Sequence, residues 1–461
     1  MREDKIAVYP MEYLELLSFE GVKQVNDHAW VKFSGQVPFE NRQECMELGR
    51  KQTWVHIVAI AGSQDCTLFC GVIDSLRMRV ENQTCIAEVV LKSGTALMDT
   101  KERIRSFQDV SLTYKQLLQV CEGGYQNYDY IMTADKSKNI EQFIMQYRET
   151  DWQFINRLAS RIQTVVVPEY KTEGLKYYFG LPNRNDSISE STCEYTMISD
   201  MQEYELKKAQ GLPITPEDTM SYVWEDREIY ELGQHKMING KEMYISKITT
   251  ILRGDELYHT YYMKSKQGLC VPCQYNTRLS GISLIGNVSN VKHEQVQIGI
   301  SGDENARSSG VCWFSYATVY SSADGTGWYC MPEISDRIRL YFPTNKEEDA
   351  YVVSAYHEGD ADLRQDPEVK FWRNKDGKEI QLTPDHIMIT NNSGSYIMMD
   401  DDGVQIRSEG SVSIQAKRNM VITSSGSSIE LNASKRIRLK QGDTEMKLGG
   451  DVTMQGARIK L

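Results

Sequence analysis

From Val404 the chain reads VQIRSEGS, then VSIQAKRN from Val412, MVITSSGSS from Met420, IELNASKR from Ile429 and IRLKQGDTE from Ile437. Each block opens with two apolar residues at i and i+2: Val404/Ile406, Val412/Ile414, Met420/Ile422, Ile429/Leu431 and Ile437/Leu439. Ile387/Ile389 and Ile397/Met399 precede them, and Met446/Leu448, Val452/Met454 and Ile459/Leu461 follow, at a spacing of about eight residues. An i, i+2 pair puts two side chains on one face of a strand. The residues between pairs are Gly, Ser, Asn, Asp and Lys, which favour turns. Each unit is therefore one short strand and one corner, the mark of a β-solenoid or β-prism.

No single unit can bury its own pair, but stacked units can bury all of them along one interior. Each fully buried aliphatic side chain contributes roughly 1.5–3 kcal/mol, and backbone ordering offsets much of the total. Three such strands close a triangular prism. One chain can supply them at about twenty-four residues per coil, or three chains can supply one each; the periodicity fits both. An ordinary antiparallel meander is disfavoured, because meander strands vary more in length and usually carry aromatics.

With 461 residues the chain has room for two to four domains. Its net charge of −12 argues against nucleic acid as a general partner. From Val404 to Leu461 ten Lys/Arg face five Asp/Glu, a basic shaft that serves solubility. There is no N-terminal apolar stretch and no run near the roughly 20 apolar residues of a membrane span. The expectation is a chain made in the cytoplasm and not exported by the general secretory route. The ten cysteines then read as reduced, small hydrophobes. Cys270 and Cys273 have CxxC spacing but no second pair or His pair, so they read as a loop entering a new domain rather than a zinc site.

Taken in order, residues 6–100 are strand-rich, with Trp54–Ile60, Leu68–Val72 and Ile86–Leu91, and read as a small β-barrel or sandwich. Thr113 and Gln116 have capping-box spacing ahead of Leu117, Leu118 and Val120. Ile140, Phe143, Ile144 and Tyr147 form one helical stripe, and Phe154, Ile155, Leu158 and Ala159 another. Thr150 and Gln153 form a second capping box between them, which predicts two helices broken near Glu149–Thr150. Strands are expected at Val165–Val167, Lys176–Leu181 and over 221–269. Residues 183–220 read as a polar insertion with a helix near Met201–Gln210. Five strands within 279–359 suit an OB-like barrel, and Lys370–Leu382 is a hairpin around Asp376-Gly377.

The stretch Tyr147-Arg-Glu-Thr-Asp-Trp-Gln-Phe-Ile-Asn-Arg-Leu-Ala159 resembles Y-x-E-[ST]-D-[FWY]-x-F-[LI]-x-R-L-A of the VgrG and phage late-control (tail spike hub) family of contractile injection systems. Thr326-Gly-Trp-Tyr-Cys-Met-Pro-Glu-Ile-Ser-Asp336 is similar to that family's G-W-x-x-x-P-E-V-G-D motif, with Ser335 where the family has Gly. Ile338–Phe342 with Asp349–Ser354 resembles the closing strands of its OB domain, and Phe371–Leu382 the segment entering its β-helix. The resemblance runs through the whole chain in the family's order. It implies a mainly β protein: a hub region of β-barrels and helices over 1–270, an OB-fold barrel over 279–359, a linker and entry hairpin over 360–383, and an intertwined spike over 384–461. It further implies a homotrimer, with one prism strand from each chain. The implied role is a structural central spike that docks on an inner tube protein among baseplate proteins and punctures a target envelope. Such a spike meets the target membrane transiently and carries a tip protein or effector cargo.

Ten layers at the roughly 4.8 Å strand spacing give a shaft on the order of 48 Å, longer than the ~30 Å hydrocarbon core of a bilayer. The inward residues of this shaft are Val404, Ile406, Val412, Ile414, Met420, Ile422, Ile429, Leu431, Ile437, Leu439, Met446 and Leu448. Ile459 and Leu461 stop in mid-rhythm, and the apolar end they leave is expected to seat a PAAR-like tip protein. Arg148, Glu149, Asp151 and Arg157 are expected at hub subunit contacts. Glu347/Glu348 and Asp400–Asp402 read as solvated turns. The seven histidines make no metal or catalytic pattern, so no enzyme activity and no cofactor is expected. The alternative is a β-helical protein that binds or degrades polysaccharide. Eight-residue units leave it no loops with which to build a groove.

Overall fold

The computed structural model describes residues 5–61, 64–81, 83–184, 188, 194–359 and 362–455. The chain is mainly β and divides into two units, Met1–His357 and Glu358–Leu461.

An eleven-stranded sheet fills the first part of the larger unit. Its order is Lys5–Tyr9, Trp54–Ala61, Gln64–Glu81, Thr84–Lys92, Trp30–Val37, Glu15–Gln24, Lys241–Arg253, Glu256–Ser265, Ser221–Asp226 and Thr196–Ile198, with His235–Ile238 alongside Lys241–Arg253. The strand-rich runs 6–100 and 221–269 are thus one sheet rather than a separate small barrel. They are joined where Glu20–Gln24 runs antiparallel to Lys247–Ile251. Alternation explains the burial: Cys85, Ala87, Val89 and Leu91 point into the core, as do Leu257, Tyr261 and Met263 on the far strand.

Lys23 and His259 are buried beside that core. Lys23 is buried, with its ammonium 4.6 Å from the Tyr170 ring centroid. Burial, with help from Lys171, pushes its pKa down from 10.5 to about 7. His259 is likewise pushed to about 4 by burial and then by Lys23, while its Nδ1 meets Thr250 Oγ1 at 2.8 Å. Between pH 7 and 10.5 the unfolded chain holds the Lys23 proton that the folded one has lost, so folding is favoured progressively as pH rises. Lys23→Met is therefore expected to stabilise the unit by a few kcal/mol at pH 7, since each tenfold weakening of proton binding corresponds to ~1.4 kcal/mol. The gain should fade toward pH 10.5. Unfolding midpoints of both forms at pH 7 and pH 10 check this; an equal difference at both would contradict it.

Beside the sheet lies a layer with helices Tyr114–Glu122 and Asp151–Arg161, both opened by the capping boxes read in the sequence. The predicted helix before Thr150 does not form. Ile144–Thr150 is a strand paired antiparallel with Glu102–Phe107. Its stripe misleads because this strand is apolar on both faces. Ile144 joins the helical layer's core, whereas Phe143 and Met145 belong to the core of the following barrel. The helix of the insertion spans Met201–Ala209.

Strands Ser283–Lys292, Gln295–Ile300, Phe314–Ala317, Tyr351–Tyr356 and Arg337–Tyr341 close a five-stranded barrel. Phe143 packs edge-to-face on Phe314 within it, at 5.1 Å and 88°. Ser335, where the resembled motif has Gly, sits at φ 78, a left-handed backbone that glycine adopts without strain.

In the second unit Lys370–Arg373, Glu379–Leu382, His386–Thr390, Tyr396–Asp400 and Gly403–Arg407 form an antiparallel sheet in chain order. Ile437–Gln441, Thr444–Gly449 and Asp451–Gln455 form another. Among the described residues, no helix of either unit is long and apolar enough to cross a membrane.

Candidate assembly interface

The register of the five-stranded sheet gathers the apolar pairs onto one face. Ile380 pairs with Ile389 and Leu382 with Ile387; these continue to Ile397 and Met399, and then to Ile406 and Val404. The face is uncovered within the chain: Ile389 is 50 % exposed, Val404 66 % and Ile406 58 %. In the three-stranded sheet Ile437, Leu448 and Val452 share one row, and Leu439, Met446 and Met454 are aligned in the next. These hairpins are the meander disfavoured on sequence grounds. Asp401-Asp402, Gly442-Asp443 and Gly450 allow tight reversals, with Gly442 and Gly450 at positive φ.

Between the two sheets the chain behaves differently. Residues 408–436 bend at 409–410, 417–418, 425–427 and 434–435, and run straight over 411–416, 419–424 and 428–433. The predicted pairs Val412/Ile414, Met420/Ile422 and Ile429/Leu431 sit in those straight runs, and all six side chains are exposed. Among the described residues no backbone–backbone hydrogen bond involves 411–436, and no strand pairs with it. A single-chain coil of about twenty-four residues would set Val412–Ile414 against Ile437–Leu439. Instead Ile437–Gln441 pairs with Thr444–Gly449. Among the described residues this stretch thus combines peptide groups that have no backbone partner with an uncovered apolar stripe. The sequence-predicted tip residues Ile459 and Leu461 lie outside the described residues.

The charged residues singled out in the hub have other roles. Arg157 is buried, and its Nε and Nη2 donate to both oxygens of Glu149 at 2.7 Å. Its Nη1 donates to Glu347 at 2.7 Å and its Nη2 to the Met145 carbonyl at 2.8 Å. Burial disfavours the Arg157 cation, but the Glu149 and Glu347 carboxylates overcome this and hold its pKa above the ordinary value. Arg161 donates to the other Glu347 oxygen at 2.6 Å. Asp151, fully buried, accepts from Arg105 at 2.5 Å and from the Tyr125 hydroxyl at 2.7 Å. The expectation of subunit contacts is corrected for Glu149, Asp151 and Arg157, whose partners lie within the same chain. Arg148 is exposed over the Tyr147 ring.

Glu347 is a second correction. It read as a solvated turn, yet it is buried and ties the barrel to the helix Asp151–Arg161. Its neighbour in sequence, Glu348, masked that signal. Asp400–Asp402 is the turn expected, with Asp400 Oδ1 accepting from the Asp402 and Gly403 amides.

No family model matches the chain, and no curated protein matches it. Comparison with solved structures assigns the fold, which is that of VgrG-like tail hubs. One such structure is the E. coli c3393 protein, a component of the type VI secretion system with structural similarity to T4 bacteriophage tail proteins gp27 and gp5. It aligns at a TM-score of 0.53 and 12 % identity over 76 % of this chain and 99 % of its own. The half-lidded Francisella PdpA–VgrG complex aligns at 0.57 and 9 % identity, covering 87 % of each chain. At these identities the likeness is one of fold.

Proposed function

We propose that this chain is the structural hub and central spike of a contractile injection apparatus, and that three copies wind residues 386–455 into one prism. The observation that carries the reading is the 408–436 stretch. It is cornered about every eight residues, has no described backbone partner in its own chain, and displays its apolar pairs to solvent. Three copies supply what one lacks. Strands from neighbouring chains take up the free N–H and C=O groups, and the stripes of Val412/Ile414, Met420/Ile422 and Ile429/Leu431 meet around a common axis. The hairpin sheets at either end, each with an apolar face, are the sides of the same triangular prism. A winding of this kind resists bending and peeling because many hydrogen bonds must break together, which suits a rod that is driven through an envelope.

The VgrG-like hub fold supports the rest of the reading. The hub docks on an inner tube protein among baseplate proteins, and the spike carries a PAAR-like tip protein or an effector cargo. The particle forms in the cytoplasm, and the spike meets the target membrane on contraction. The role is mechanical rather than enzymatic.

Amide hydrogen exchange on the full-length protein tests this. Residues 411–433 are expected to be protected as strongly as 386–407, because both are then interior ladder strands. Exchange at the rate of an unstructured peptide over 411–433, with 386–407 protected, would contradict the wound spike.

A further inference from the structure

We infer that the barrel hairpin 318–329 is a contact to a second copy of this chain, seated on the outer face of that copy's strand Arg337–Tyr341. The inference deepens the three-copy reading and rests on it. The hairpin leaves the barrel between strands Phe314–Ala317 and Arg337–Tyr341, and it is braced. Ser321 bridges Gly327, the Trp328 amide donates to the Tyr320 carbonyl at 2.8 Å, and the Ser322 amide to the Thr326 carbonyl at 2.8 Å. Asp324 Oδ1 accepts from the amide and hydroxyl of Thr326 at 3.0 and 2.7 Å. The Tyr329 hydroxyl donates to the His293 carbonyl at 3.1 Å, tying the hairpin to the barrel wall. A Cβ on Gly327 would lie 2.4 Å from the Tyr320 carbonyl oxygen, so the close crossing requires glycine.

This fixed scaffold holds large apolar side chains in water. Val319 is 91 % exposed, Tyr329 69 %, Trp328 62 % and Tyr320 54 %. A preorganised aromatic patch loses little entropy when it docks, which is how interface anchors are built.

Charge identifies the occupant. Residues 318–336 carry Asp324, Glu333 and Asp336 and no Lys, Arg or His. The strand that follows alternates buried Ile338 and Leu340 with outward Arg337 and Arg339, and Arg339 is steadied over the Tyr356 ring at 5.0 Å. A guanidinium fits both halves of the hairpin, stacking on an indole or phenol face and pairing with a carboxylate. Donor and acceptor patches differ, so the contact is head-to-tail, the type that closes a ring of three. The short connection 358–369 between barrel and spike keeps three barrels at high effective concentration once the spikes are wound.

The test places the photo-crosslinker p-benzoylphenylalanine at residue 328 of the full chain, with native mass read on the same sample. The expected result is covalent multimers whose crosslinked peptides map to 283–356 of another copy. Arg339→Glu is expected to lower their yield by about fivefold or more, with the three-chain mass kept. A three-chain mass with links only inside one copy, or only to residues outside 283–356, overturns the inference. So does a yield indifferent to Arg339→Glu. A one-chain mass instead sinks the three-copy reading itself, and light scattering reports that independently of any link.

Discussion

Replacing Ile422 by aspartate is expected to abolish the assembled spike and leave single chains. In the proposed three-copy prism one substitution puts three carboxylates into one apolar layer. Each loses roughly 1.5–3 kcal/mol of aliphatic burial, and each buried charge without a partner costs several kcal/mol more. Val421→Asp is the matched control. Val421 is the next residue, 81 % exposed, and i and i+1 point to opposite faces of a strand. The control is expected to keep the assembled mass. Native mass of the two variants decides the matter: if Ile422→Asp assembles like the parent, the stripe does not face the axis.

The second large effect is expected in the hub. Arg157→Met strips Glu149 and Glu347 of their shared cation while leaving both in place; Glu347 keeps Arg161, whereas both Glu149 oxygens lose their guanidinium partner. Removing one partner of a buried ion pair typically costs ~3–5 kcal/mol, so the unfolding transition of the 1–357 unit should drop steeply. The double change Arg157→Met with Glu149→Leu is expected to recover part of the loss, since the Glu149 carboxylate, both of whose oxygens pair with Arg157, goes with its partner. Denaturation midpoints of the parent, the single and the double variant at pH 7 report both effects. A single variant as stable as the parent would show that the network does not hold barrel to helix.

The parts of the spike visible in sequence are those set by periodicity. Even the change of topology along it leaves a trace. Successive pairs are eight or nine residues apart from Val404 to Ile437, but ten and seven apart between Ile387 and Val404, and nine and six between Ile437 and Val452. The irregular spacings are where Gly and Asp allow the chain to reverse. Read as one pattern, they hid the hairpins. The capping boxes at Thr113 and Thr150 were legible because they are local chemistry. Strand 144–150 was not, because a strand buried on both faces carries no alternation to read. The Glu347 bridge was not legible either, since its partner Arg157 is distant in sequence and an acidic pair ordinarily marks a turn. Lys23 shows the same blindness: it lies on the buried face of its strand with Phe19 and Gly21, and a lysine at such a position reads in sequence as a break in the apolar pattern rather than as part of a core.

The most direct measurement is the native mass of the full-length chain by light scattering after gel filtration. Three chains of 52.9 kDa each are predicted, because in the proposed prism partner strands complete the hydrogen bonds of 408–436 and cover its apolar pairs. A mass of 52.9 kDa across the accessible concentration range would contradict the wound spike, and with it the proposed function.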